Sequence, residues 1–180
     1  MRKSGHRSEN ELDKGRYGLN RRGFLKSAAV VGASSVINPV LADPIQEGLN
    51  TSDLVYLSPI KSNGGLSACQ AEIWFVFDGV DIFVCSGTDS WRVDAAKQGL
   101  TMTQFWVGDL GQWKDTNGEY RNLPAMTGKA SIETNPDEQA RVLDLFGDKY
   151  PLAWIIWGPR FRKGMANGKR TMLRYRPVVT

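Results

Sequence analysis

Ala71-Glu72-Ile73-Trp74-Phe75-Val76-Phe77-Asp78-Gly79-Val80-Asp81-Ile82-Phe83-Val84-Cys85-Ser86 decides how this chain is read. Ile73 to Phe77 is apolar without interruption, too short for a helix and rich in β-branched and aromatic side chains, so it predicts a strand buried on both faces. Asp78-Gly79 has the composition of a two-residue hairpin turn, and Asp81 to Cys85 then returns as the antiparallel partner. That turn sets Phe77 opposite Val80 and Cys85 opposite Glu72.

Outward from the hairpin, Leu54 to Ile60 predicts a strand, Lys61-Ser62-Asn63-Gly64-Gly65 is turn chemistry, and Leu66 to Phe77 is the second strand. Asp89 or Ser90 caps a short helix carrying Trp91, Val93 and Ala96, and Gly99 stops it. Leu100 to Val107 returns to strand, Gly108 to Gly118 is a Gly-, Asp- and Asn-rich loop, and Leu123 to Glu133 is a longer strand. Asn135-Pro136-Asp137-Glu138 supplies an Asn cap, a first-turn proline and acids at the positive helix end. The helix it starts carries Ala140, Val142, Leu143, Leu145 and Phe146 at helical spacing, with Gly147 as its close. Pro151 to Trp157 is apolar and fits a buried helix or an interface segment; Met165 to Lys169 is a turn, and Thr171 to Arg176 is the last strand. No regular strand-helix alternation runs through the chain, so the expectation is a mostly β, antiparallel barrel of about six strands with two or three short helices.

The amino terminus reads differently. Asn20-Arg21-Arg22-Gly23-Phe24-Leu25-Lys26 is a twin-arginine export signature, followed by a small and apolar run, Ser27 to Ile37, a helix-breaking Pro39, and Val40-Leu41-Ala42 as a cleavage site. An apolar run of about ten residues falls short of the roughly 20 needed to span a bilayer, which favours a removable signal over an anchor. Residues 1–42 are therefore expected to be a twin-arginine signal peptide, 43–52 a polar lead-in, and 53–180 the folded domain. The partner at export is the twin-arginine translocase, and the expected location is periplasmic or otherwise extracytoplasmic.

Removing the signal changes the charge argument. Residues 1–42 hold 8 of the 23 Lys and Arg and 3 of the 19 Asp and Glu, which leaves 15 bases against 16 acids. A nearly neutral domain gives no electrostatic footprint for nucleic acid. His6 is the only histidine and lies in the signal, so the remainder can build neither a histidine-based nucleophile nor a histidine-ligated haem or copper site. Two cysteines, Cys69 and Cys85, are too few for a structural zinc site, and no metal site is expected. An oxidising compartment would permit a disulfide between them, but the hairpin register places Cys69 on the opposite face of the sheet from Cys85.

The order of elements resembles the flavin-binding split barrel of the pyridoxamine phosphate oxidase type over most of Leu54 to Pro177. The resemblance is carried by Ala71 to Phe77, Asp78-Gly79 and Ile82 to Ser86, then by Ser90-Trp91-Arg92, which matches the family's Ser-x-Lys/Arg step. Thr127 to Ile132 and the stretch from Asn135 to Lys149-Tyr150-Pro151 match the later strand and second helix. The resemblance implies a split barrel, a homodimer, and FMN as cofactor, a deazaflavin being the other candidate of that class. It places Gln70 at a flavin contact, Cys85 and Ser86 beside the ring and ribityl chain, and Ser90 with Arg92 at the phosphate. The chain departs from the family's usual pattern at Gln98-Gly99, where an Asn-Pro is expected, and in the loop holding Trp113 and Lys114.

The residues have simpler uses too. Ser86-Gly87-Thr88-Asp89-Ser90-Trp91-Arg92 offers hydroxyls and a guanidinium fork suited to a phosphate, yet Ser86, Thr88 and Ser90 equally suit turn and capping roles. Arg92 also suits a solvated helix charge, Gln70 a solvent-facing position, and Asp89 sets a negative charge beside the supposed phosphate. The basic cluster Arg160, Arg162, Lys163, Lys169 and Arg170 fits an anionic substrate, a lipid surface or a solvated turn. Three functional classes stay open: an exported FMN-dependent oxidoreductase acting on a small-molecule substrate or redox partner, a non-catalytic carrier or sensor of flavin, deazaflavin or another planar ligand, and a cofactor-free partner-binding barrel. No catalytic residue is named by the sequence.

Overall fold

The computed structural model describes residues 43–178; the twin-arginine motif and its cleavage site lie outside the described residues. Asp43–Thr51 is a helix, α1, where the sequence reading places a polar lead-in. Ile45 and Leu49 stand one turn apart and pack on the core, and Gly48 makes room for Val107, whose Cγ1 lies 3.0 Å from where a Cβ would stand. The strands are β1 (Leu54–Pro59), β2 (Ala71–Trp74), β3 (Val76–Phe77), β4 (Ile82–Gly87), β5 (Met102–Val107), β6 (Ala125–Glu133) and β7 (Arg170–Val178). The remaining helices are α2 (Trp91–Lys97), α3 (Pro136–Lys149) and α4 (Pro151–Ala166).

The seven strands form one antiparallel sheet in the order β2-β1-β5-β6-β7-β4-β3. Its two outermost strands, β2 and β3, are successive pieces of one stretch. The sheet therefore curls into a nearly closed barrel whose ends meet at Phe75. This is the split barrel, with seven strands rather than six because the expected second strand breaks in two. That strand also begins at Ala71 rather than Leu66, and Ile73, Trp74 and Phe77 are half-buried where burial on both faces was expected. The break has a chemical cause: the Tyr150 hydroxyl accepts from the Phe75 N–H at 3.1 Å and lies 2.8 Å from the Phe75 carbonyl, taking the place of a ladder partner.

The hairpin register also differs from the expected one. Phe77 pairs with Ile82 and Val76 with Phe83, so the turn spans Asp78 to Asp81. Asp78 Oδ1 accepts from the amides of Val80 and Asp81 at 3.0 and 2.8 Å, an Asx turn that the two-residue reading of Asp78-Gly79 overlooked. The β3–β4 ladder ends at the Val76–Phe83 pair, so Cys85 is not paired with Glu72; its ladder partner, on the other side of β4, is Met172 of β7. Both cysteines are free, Cys69 exposed and Cys85 buried.

Alternation along the strands explains why so many are apolar on both faces. Val55, Leu57, Ile82, Val84, Phe105, Val107, Leu173 and Tyr175 fill the barrel, while Phe83, Cys85 and Met172 face outward into a second core under α3 and α4. Asn135 caps α3 as expected, its Oδ1 accepting from Asp137 and Glu138 N–H at 2.9 and 3.3 Å. Gly147 does not end α3; it admits Trp154, whose Cδ1 lies 3.0 Å from the position of a Cβ. The apolar segment after Tyr150 continues as the 16-residue α4, so the turn expected from Met165 is confined to Asn167 onward. The loop from Gly108 is a packed cover. Asp109 accepts from the amides of Asp53 and Leu54, and Tyr56 and Tyr120 stack beneath it at 5.1 Å. No helix of the described residues is long and apolar enough to cross a membrane.

Candidate functional site

β2 and β4 diverge beyond the Val76–Phe83 pair, and the gap between them is a cavity of about 560 Å³, within the range of small-molecule sites. Glu72, Ile73 and Trp74 form one wall and Cys85, Ser86 and Gly87 the other; Arg92 comes from α2, Trp157 and Phe161 from α4, and Arg170 from the start of β7. The hairpin that fixes the fold also builds the cavity, because its two strands are the walls.

Three of the five residues singled out by sequence line this cavity: Cys85, Ser86 and Arg92. Ser90 is joined to them through Ser86, its Oγ 3.3 Å from the Ser86 Oγ, and makes no side-chain cap for α2. Gln70 stands apart from the lining, its side-chain oxygen accepting from the Tyr120 hydroxyl at 2.7 Å under the loop cover.

Arg92 donates through Nε to the buried Ser86 Oγ. Burial pulls its guanidinium below the usual value, with Tyr175 and Glu72 acting in the opposite direction. The described ion pairs engage Arg141, Arg162, Arg174 and Arg176 but not Arg92. A half-buried cation without a carboxylate at contact distance is suited to an incoming anion. Asp81, by contrast, is fully buried between Arg174 and Arg176, so that charge cluster is self-contained.

The other lining groups define what the cavity can do. Burial pushes the Cys85 thiol up to about 11, against the pull of Arg170, and its Sγ lies 3.7 Å from Met165 Sδ. It is a neutral thiol at pH 7 and not a thiolate nucleophile. Glu72 accepts from the Trp113 amide at 3.2 Å, and it supplies the one carboxylate of the lining. Trp74 stacks on Tyr150 at 4.8 Å and meets Trp157 edge-on at 6.5 Å, giving the cavity a rigid aromatic side. Arg170 and Trp157 were visible in the sequence only as members of a basic cluster and an apolar run. Their place in the site depends on the Gly87–Arg170 register of β4 with β7, for which no local signal exists.

No family model and no curated protein sequence matches the chain. Solved structures do. HutZ, the heme storage protein of Vibrio cholerae, superposes with a TM-score of 0.54 at 13% identity, over 76% of this chain and 89% of that one. ChuZ of Campylobacter jejuni gives 0.53 at 12%, over 74% of this chain and 51% of its own. A conserved hypothetical protein of Mycobacterium tuberculosis gives 0.50 at 18%, over 80% and 83%. At such identities the likeness is one of architecture, and the chain shares with these proteins the split-barrel fold.

Proposed function

We propose that the cavity between β2 and β4 holds FMN and that the protein is an exported flavin-dependent oxidoreductase. The observation that carries this reading is Arg92, half buried on the wall of a cofactor-sized cavity, tied to Ser86 and unclaimed by any described carboxylate. Arg92, Ser86 and Ser90 suit the phosphate, and the aromatic and apolar side made by Ile73, Trp74 and Trp157 suits a planar ring. The flavin would supply hydride or electron transfer; the chain binds it, orients it and excludes water.

A second reading is carriage of a planar ligand without turnover, including a deazaflavin. It draws on HutZ, which is by name a heme storage protein. Haem itself fits less well. The sole histidine is His6, and the cavity wall carries no histidine, methionine or tyrosine, so the commonest axial ligands are missing and Cys85 alone is left for that role. A flavin needs none. The third reading, a cofactor-free partner-binding barrel, draws on Leu152, Ile155 and Ile156, which stand exposed on α4.

Native protein recovered after export is expected to show the absorbance bands of oxidised flavin and to release FMN on denaturation. A colourless protein that also fails to bind added FMN would overturn the reading. Bleaching of those bands by a nicotinamide or quinol donor separates the oxidoreductase from the carrier. We also propose the twin-arginine route, followed by a homodimer outside the cytoplasm. Replacement of Arg21 and Arg22 by lysines should retain the precursor in the cytoplasm, which fractionation and immunoblotting read directly; undiminished export would sink the localisation.

A further inference from the structure

We propose a second anion-binding site beside the first, taking a soluble ligand with at least two negative groups, such as a diphosphate or a di- or tricarboxylate. It is the cavity of about 400 Å³ where the end of α4 meets the start of β7, lined by Arg160, Lys163, Lys169 and Arg170 together with Gly87 and Trp157. Binding there does not depend on a flavin; its use as a substrate subsite rests on the flavin reading.

Four cations converge on one hollow whose lining contains no acid. None of the four takes part in a described ion pair, whereas Arg162, on the same helix, is paired with Asp144 at 2.8 Å. Mutual repulsion makes such a cluster costly unless a polyanion neutralises it, and a concave site of one sign concentrates counter-ions. The nearby acids Asp89 and Asp94 line the adjoining hollow beyond Thr88, where Lys169 alone of the four also reaches.

Arg170 is held in place for this task. Its stem lies in the notch left by Gly164, where a Cβ would stand 2.8 Å from Arg170 Cγ and Cδ. Its guanidinium rests 4.0 Å from the centre of the Phe161 ring, and its Nη1 donates to the Cys85 carbonyl at 3.4 Å. Arg160 lies over Trp157 at 4.8 Å. The turn bearing Lys169 is fixed by Thr88, whose N–H donates to the Lys169 carbonyl at 3.1 Å and whose hydroxyl donates to the Gly168 carbonyl at 2.7 Å. A planar fork fixed before binding suits phosphate and carboxylate oxygens.

Gly87, Trp157 and Arg170 belong to both cavities. A ligand anchored by its charges in the smaller one therefore has the larger one next to it, which assigns the substrate of this protein to polyanions.

The test is calorimetric titration of the purified protein with inorganic pyrophosphate, repeated with Arg92→Ala and with the double variant Lys163→Ala/Lys169→Ala. Both lysines are exposed, and an unchanged melting temperature will show that the double variant is folded. Wild type and Arg92→Ala should each retain a pyrophosphate site that weakens with added salt, while the double variant loses affinity at least about tenfold. Absence of pyrophosphate binding, its loss in Arg92→Ala with retention in the double variant, or binding only to phosphatidylglycerol vesicles would overturn the proposal. A colourless protein that still binds pyrophosphate through these lysines would keep this site and remove only the flavin reading.

Discussion

Tyr150→Phe should lower the unfolding free energy by about 2–3 kcal/mol, a large loss for one oxygen atom. The hydroxyl accepts from the Phe75 N–H at 3.1 Å and has two carbonyls at 2.8 Å, those of Phe75 and Asp53. Phe75 is fully buried and lies between the β1–β2 and β3–β4 ladders, so water cannot readily replace the missing partner. Its amide and carbonyl would be left without partners where desolvation is complete. The stacking of the ring on Trp74 and on Phe146, at 4.8 and 6.0 Å, survives in phenylalanine, which isolates the hydroxyl. For a domain of this length the loss corresponds to a fall of very roughly 6–12 °C in melting temperature. Chemical denaturation with an unchanged m-value would attribute it to the native state. A loss under about 0.5 kcal/mol, well below the cost of an unpaired buried group, would mean that β2 and β3 hold their break by packing alone.

That break marks the boundary between what the sequence made legible and what it did not. Local signals located most elements: the apolar run from Ile73, the Asn135 cap, the turn at Asn63-Gly64, and the strand from Leu123. Each is written within a few residues, and each is present in the fold. Features that depend on distant residues were misread or missed. The second strand breaks because Tyr150, far along the chain, reaches Phe75. Residues 43–51 form a helix whose local signals, Asp43-Pro44 and the apolar pair Ile45 and Leu49 one turn apart, are short and easily passed over, and it is Leu49 in the barrel interior that makes it stable. Gly147 has the look of a helix stop but is a contact point for Trp154. The turn at Asp78-Gly79 is the local exception: it has the composition of a two-residue turn, but the Asp78 side chain, accepting from the amides of Val80 and Asp81, organises a longer one.

The site follows the same division. Cys85, Ser86 and Arg92 lie on one continuous strand-turn-helix, and the sequence brought them together; they share the cavity wall. Glu72 and Trp74 face them across the split, and Trp157, Phe161 and Arg170 arrive from the far end of the chain. Their membership follows from the strand order, in which β7 lies beside β4. Gln70, placed by resemblance, sits on the loop side with Tyr120.

Arg92→Ala should weaken FMN binding by about tenfold or more while leaving the barrel folded, the loss expected for one charge-assisted contact. The decisive comparison is with riboflavin, which carries the same ring and lacks the phosphate. If Arg92 meets the phosphate, wild type prefers FMN to riboflavin and the variant loses that preference, with riboflavin affinity itself unmoved. Arg92 reaches inward from α2 and is tied by Nε to Ser86, so its charge sits beside the buried hydroxyl and not in open solvent. Arg92→Lys keeps the charge but not the planar fork, and should fall between the two. Equal losses for both ligands would place Arg92 against the ring or in the packing of α2. An unchanged FMN affinity would move the phosphate elsewhere, and Arg170, the other cation of the same wall, would then be the residue to replace.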